Sequence, residues 1–137
     1  MTLQELEQQC DTSAALIAIS RSQLPPLMKA LNLIPTTFCY YYPLTASIIL
    51  SVKTRADFAP VRALHKGVWE KMPPRFDDND QIEVRYNAVI NGVNVTAYVA
   101  ELPPSCVLIR EEVVVPEHTE TRQRITCPEA LNFEHGL

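Results

Sequence analysis

The order of apolar and polar positions predicts helices at the start of the chain. Thr2-Leu3-Gln4-Glu5 has the spacing of a capping box, which predicts a first short helix. Asp11-Thr12-Ser13 can cap a second helix over Ala14 to about Ser22, and Pro25-Pro26 is expected to interrupt it. Apolar residues from Leu27 to Ile34 then mark a third helical piece.

A strand, a helix and a second strand are expected to follow. Thr36 to Pro43 is predicted to be a connection rich in aromatic residues, and Ala46 to Val52 a buried strand. Thr54 and Asp57 lie at capping-box spacing, which predicts a helix up to Gly67. Val68 to Met72 is expected to be a short strand, and residues 73–80 a loop.

The strongest local pattern is a β-hairpin turning at Asn91-Gly92, a pair typical of two-residue turns with positive φ. Strands are predicted over Gln81 to Ile90 and Val93 to Glu101. With Ile90 opposite Val93, one face consists of apolar or aromatic pairs, namely Ala88 with Val95, Tyr86 with Ala97 and Val84 with Val99.

The chain is predicted to be one α+β domain, 1–137, with a mainly antiparallel sheet and one helix packed on a face. It divides into a helical N-terminal segment (1–35), an α+β sheet core (46–127) and a loose tail (128–137). Further strands are expected over Cys106 to Val115 and Thr119 to Cys127, joined by a turn at Pro116.

Composition indicates a folded protein, because 47% of the 137 residues are hydrophobic and 20% are charged. The first residues have neither a basic region nor an apolar run, so a cytoplasmic location without a membrane span is expected. The four cysteines are widely spaced and are expected to be small buried hydrophobes.

The net charge of −4 conceals an uneven distribution. Residues 53–75 hold six Lys or Arg against two Asp or Glu, whereas residues 76–137 hold four against eleven. Tight nonspecific binding to nucleic acid requires an excess of cations facing the phosphates. The acidic total therefore favours a protein partner over a nucleic acid.

The segment Glu111 to Cys127 poses the main question about chemistry. As a strand, it places four polar residues on one side, His118, Glu120, Arg122 and Arg124. A metal site would need further ligands from elsewhere, so an exposed polar strand is favoured over a catalytic or metal site. A small hydrolase using His118 with Cys106 or Cys127 stays open, since such partners meet only in the fold. The usual catalytic motifs are absent, so neither an enzyme nor a cofactor is expected.

The stretch Ser20 to Leu31 resembles the second helix of small excisionase-type helix-turn-helix regulators. That resemblance implies that Arg21, Gln23 and Lys29 meet DNA. The two prolines depart from the pattern, and an ordinary helical hairpin is the preferred interpretation.

Other candidates have a structural interpretation beside the functional one. Tyr41 in the aromatic run, and Trp69, could anchor a partner, but a place in the core is favoured for both. Asp77-Asp78-Asn79-Asp80 resembles the start of a calcium loop but lacks the required glycine and glutamate, which favours a solvated turn. The candidate partner-binding residues are Tyr41, Trp69, Arg75, His118, Glu120 and Arg122.

The second half of the chain resembles small phage- and prophage-encoded proteins of unknown function. The resemblance lies in D-F-A-P-V-R-A-L, V-W-E-K, I-E-V-R-Y-N-A-V-I-N-G-V-N-V-T-A-Y and E-E-V-V-V-P-E-H-T-E-T-R-Q-R-I-T-C. It implies a phage or prophage setting and no defined activity.

Two functions follow as hypotheses. The first is a non-catalytic protein-binding module that contacts a host or phage protein and can self-associate through sheet edges. The alternative is a DNA-binding regulator that uses residues 20–31.

Overall fold

The computed structural model describes residues 1–128 and 133–135 and confirms an α+β fold. A long helix precedes a mixed, mainly antiparallel sheet, a second short helix and a separate hairpin. The helices are α1 (Leu3–Leu31) and α2 (Arg55–Arg62). The strands are β1 (Phe38–Tyr42), β2 (Ser47–Val52), β3 (Val68–Lys71), β4 (Arg75–Phe76), β5 (Ile82–Ile90), β6 (Val93–Val99), β7 (Val107–Val115), β8 (His118–Thr126) and β9 (Phe133–His135).

The N-terminal segment is one helix, so the prediction of three helical pieces was wrong. The capping box forms as expected, with Thr2 Oγ1 accepting from the Glu5 amide at 3.1 Å. Pro25 and Pro26 lie inside the helix and remove two amide donors on its exposed side, where water can bind the freed carbonyls. The buried stripe crosses the prolines without interruption and holds the helix together through Ser20, Leu24, Leu27 and Leu31.

The expected connection over residues 36–43 contains an edge strand instead. β1 pairs antiparallel with β2, with Tyr40 opposite Ile49. Aromatic residues favour strands, and β2 offers β1 a free side for pairing. The whole sheet follows the order β1-β2-β6-β5-β3-β9, with β4 paired to the start of β5. β2 and β6 are parallel, and the other pairs are antiparallel.

The β5–β6 hairpin has the predicted register. Ile90 lies opposite Val93, and the apolar pairs continue through to Val84 opposite Val99. The turn residues Asn91 and Gly92 have φ of 51° and 86°, as the two-residue turn requires.

Both helices pack on the same face of the sheet and build one core. α2 ends at Arg62 rather than near Gly67, because its last turn tightens into bonds spanning three residues from Leu64 and His65. Phe58 from α2 stacks on Tyr86 at 4.5 Å between ring centroids. The largest fully buried side chains are Trp69, Tyr86, Phe58, Ile48, Leu50, Val52, Val61, Val84, Val93, Val95 and Val99.

The predicted strands at the end of the chain form a second, two-stranded sheet, in which Val115 lies opposite His118. The strand β1, which lies before residue 46, belongs to the main sheet, and this hairpin forms a sheet of its own. The predicted loose tail was wrong for Phe133–His135, which pairs with β3, while residues 129–132 and 136–137 lie outside the described residues. Neither described helix is both long and apolar enough to cross a membrane.

Candidate interaction surfaces

The β7–β8 hairpin is a mostly exposed element. Each strand has nine residues, which makes the hairpin about 30 Å long. Within the described ranges, the two strands contact each other extensively and no other element to a comparable degree. The hairpin is therefore an appendage of the sheet body.

One face of the hairpin holds an ordered row of charges, as the period-two pattern predicted. Glu120 lies between two same-face neighbours, with Oε1 at 3.0 Å from His118 Nε2 and Oε2 at 3.3 Å from Arg122 Nη2. Across the ladder, Arg124 Nη2 lies 2.8 Å from Glu111 Oε1. These side chains are between 41% and 63% exposed, so the ion pairs contribute little to stability and leave the charges accessible.

The other face of the hairpin carries Arg110 and Glu112 beside aliphatic and uncharged polar side chains. Val114 is 82% exposed, while Leu108 and Ile125 are half-buried opposite each other. Each face of this exposed ribbon therefore mixes charged, polar and aliphatic side chains, since Val113 and Val115 lie on the face of Glu120. Such a mixed surface suits contact with a protein.

A disulfide between Cys106 and Cys127 closes the base of the hairpin. The expectation that all four cysteines are small buried hydrophobes was wrong, because the register places these two opposite each other. Cys10 is exposed and Cys39 half-buried. The hydrolase arrangement was also wrong, since both sulfurs are bonded and His118 lies at the opposite end of the ladder.

The N-terminal half of α1 is a second projecting element. Residues 3–15 are all exposed, a length of about 20 Å along the helix. The C-terminal half is tied to the sheet body through the Ser20 hydroxyl, which donates to the Pro43 carbonyl, and through the leucine stripe.

Two candidate anchors belong to the core, in agreement with the favoured interpretation. Trp69 has no exposed surface, and its Nε1 donates to the Arg62 carbonyl at 3.2 Å. Tyr41 packs half-buried against the core, with its hydroxyl 3.5 Å from Asn32 Oδ1. Burial raises the pKa of Tyr41 to about 12, and the hydrogen bond to Cys39 and the electrostatic interaction with Cys39 add to the rise.

The exposed aromatics are the neighbours of Tyr41, which the sequence analysis did not single out. Tyr40 is 57% and Tyr42 44% exposed, on the face of β1 that points away from the helices. Phe38 stacks on Tyr40 with ring centroids 5.3 Å apart. Alternation along β1 was the available signal, since it requires Tyr40 and Tyr42 to oppose Tyr41.

Arg75 is exposed and pairs with Glu83 at 2.7 Å. The hydrogen bond to Glu83 and the charge of its carboxylate raise the pKa of Arg75. The two residues line a depression of about 210 Å³ together with Met72, Pro73 and Arg85. The Nε of Arg85 is buried without a hydrogen-bond partner among the described residues.

The structure does not form a helix-turn-helix over residues 20–31, nor the helical hairpin preferred for them. This stretch is the C-terminal part of the continuous helix α1. Arg21 and Lys29 are exposed and Gln23 is half-buried, beside the leucine stripe that faces the core. A role of these residues in DNA binding stays a prediction.

The acidic loop at residues 77–80 forms a turn around its own backbone. Asp77 Oδ1 accepts from the amides of Asn79 at 2.8 Å and Gln81 at 3.0 Å. Across the described part of the chain, no three His, Cys, Asp or Glu side chains are grouped so as to hold a metal ion.

Comparison with protein-family models, with curated proteins and with solved structures gives no match to this chain. A function is therefore argued from the surfaces themselves.

Proposed function

We propose that this protein is a non-catalytic protein-binding module and that its β7–β8 hairpin makes the contact. The observation that supports the proposal is the hairpin's lack of an extensive contact with any other described element. A phage or prophage setting, expected from the sequence, belongs to the same proposal, with a host or phage protein as the partner.

The energetics of a lone hairpin favour a binding role. An isolated two-stranded hairpin is marginally stable in water, and stable sheets need a third strand or a packed face. Here the disulfide holds the base while the rest of the ribbon stays uncovered. A partner that covers either face would supply the missing packing, and the ribbon would lose little conformational entropy on binding because its ends are already fixed.

The charge of the hairpin favours a protein over a nucleic acid. Residues 107–126 hold three arginines against four glutamates. Nucleic-acid surfaces select for an excess of cations, whereas alternating charges of both signs complement a mixed protein surface. Glu120 is the acidic group on this face that lies within contact distance of two basic side chains, His118 and Arg122.

A capture experiment with a matched pair of variants tests the proposal. Tagged full-length protein is incubated with nuclease-treated host lysate, beside Glu120→Lys and the control Glu70→Lys. Glu120 has 41% of its side chain exposed, and the control Glu70 is exposed on β3 of the main sheet, away from the hairpin. We expect one protein to be captured equally by the wild type and Glu70→Lys, and about tenfold less by Glu120→Lys, since reversing a contact charge costs binding.

Two outcomes contradict the proposal. Equal capture by all three forms would place the contact away from the hairpin. Recovery of nucleic acid alone, without nuclease and sensitive to Arg21→Ala and Lys29→Ala, would support the DNA-binding alternative instead.

A further inference from the structure

The edge strand β1 of the main sheet belongs to a long segment of the chain that has no charged residue. β1 is the first strand in the sheet order, and β2 is the one described element with which it makes extensive contact. From Ala30 to Val52 the chain has no Asp, Glu, Lys, Arg or His. The two outermost strands at this end of the sheet are therefore both uncharged.

Such an edge differs from the edges of monomeric proteins. An edge strand exposes unpaired amide and carbonyl groups, and monomers protect them with charges, prolines or bulges. β1, with the sequence F-C-Y-Y-Y, has none of these within its length, and Pro43 only bounds it. Large apolar side chains are exposed in the same stretch, with Tyr40 at 57% and Leu44 at 72%. An unprotected edge with exposed apolar side chains marks an interaction surface.

We infer that a second copy of this chain pairs with β1, antiparallel and about a two-fold axis at Tyr40, so that the main sheets of the two copies become continuous. This inference concerns a different surface from the hairpin and does not rest on the proposed function.

A second copy of β1 is the proposed partner strand because the sequence of β1 is self-complementary. With Tyr40 opposite its own copy, Phe38 lies opposite Tyr42 of the second copy and Cys39 opposite Tyr41. Directly opposed aromatic residues stabilise antiparallel pairs. A two-fold axis places every group near its own copy, so charge near the axis is penalised and an uncharged strand is favoured. The uncharged stretch meets that requirement over its full length.

The first test measures mass and places one charge at the axis. Light scattering after size exclusion, over a concentration series, should show the 15.5 kDa chain approaching twice that mass. Tyr40→Lys places two lysines together and should weaken dimerisation about tenfold or more. Val89→Lys is the control, because Val89 is 55% exposed on β5, inside the sheet and away from β1.

The second test reports which residues of the two β1 strands lie opposite each other. It does not require that Tyr40→Lys folds. In a background of Cys10→Ser and Cys39→Ala, Tyr40→Cys brings two new thiols together at the axis, and mild oxidation should give a covalent dimer on a non-reducing gel. Val89→Cys in the same background should stay monomeric.

Each alternative result overturns the inference. A wild type that stays monomeric throughout, with no cross-link through Tyr40→Cys, would mean that β1 does not pair with a second copy. A dimer that survives Tyr40→Lys would use another surface. If Val89→Lys weakened the dimer as much as Tyr40→Lys does, the two sheets would pack face to face rather than edge to edge.

Discussion

Cys106 and Cys127 lie opposite each other one step beyond the pair of Val107 and Thr126, with their Cα atoms 4.2 Å apart. This pair marks where the sheet body ends and the hairpin begins. Closing a loop of this size stabilises a folded segment by about 3 kcal/mol relative to the open chain.

Reduction of this disulfide should loosen the hairpin and leave the sheet body intact. Hydrogen exchange measured with and without reductant should show faster exchange over residues 107–126 and unchanged protection in β5 and β6. The reason is that the hairpin has little packing apart from its own ladder. The double variant Cys106→Ser/Cys127→Ser should reproduce the reduced pattern. Equal acceleration in the main sheet would show that the disulfide stabilises the whole protein.

Gly92→Ala should destabilise the protein by about 1–2 kcal/mol, because Gly92 has a φ of 86° and a side chain there is strained. A Cβ at this position would also lie 3.2 Å from Cγ2 of Ile19, so α1 is packed against the turn. Urea denaturation should show the loss, and in an Ile19→Ala background the same substitution should cost less. An equal cost in both backgrounds would show that α1 adds nothing to the strain.

Alkaline stability should depend on Tyr41. Its pKa is raised to about 12 in the folded protein, above the ordinary value of 10.0. Below the lower value both states keep the proton, so Tyr41 does not make stability depend on pH. Between the two values the unfolded chain ionises first, and stability falls as the pH rises. Thermal melts from pH 9 to 12 should show a smaller fall for Tyr41→Phe than for the wild type.

The control for this measurement is Tyr40→Phe, on the exposed side of the same strand. The melting temperature of Tyr40→Phe should fall with rising pH by as much as that of the wild type. If the melting temperature of Tyr41→Phe fell as much as that of the wild type, other groups would be responsible for the loss of stability at alkaline pH.

The sequence pattern predicted correctly those parts of the fold that depend only on residues close together in the chain. The β5–β6 register follows from period-two alternation and an Asn-Gly turn, and both are contained within the segment. The charged face around Glu120 follows from the same alternation. The Thr2–Glu5 capping box is likewise a contact between near neighbours.

The features that the sequence analysis missed depend on contacts between distant segments. Pro25 and Pro26 were expected to end a helix, but burial of Leu24 and Leu27 against the sheet outweighs the lost hydrogen bonds. The strand β1 forms because β2 has a free side. The disulfide could have been predicted, because extending the pair Val115 with His118 by nine steps places Cys106 opposite Cys127. Alternation alone could likewise have indicated that Tyr40 is exposed.

Excision of the hairpin tests the central claim most directly. Because the Cα atoms of Cys106 and Cys127 are 4.2 Å apart, residues 106–127 can be replaced by a two-glycine link between Ser105 and Pro128. We predict that the melting temperature stays within about 3 °C of the wild type and that capture of the partner protein from lysate is lost. An excised protein that captures the same partner at the same yield, or one that no longer folds, would contradict a hairpin that serves binding rather than stability.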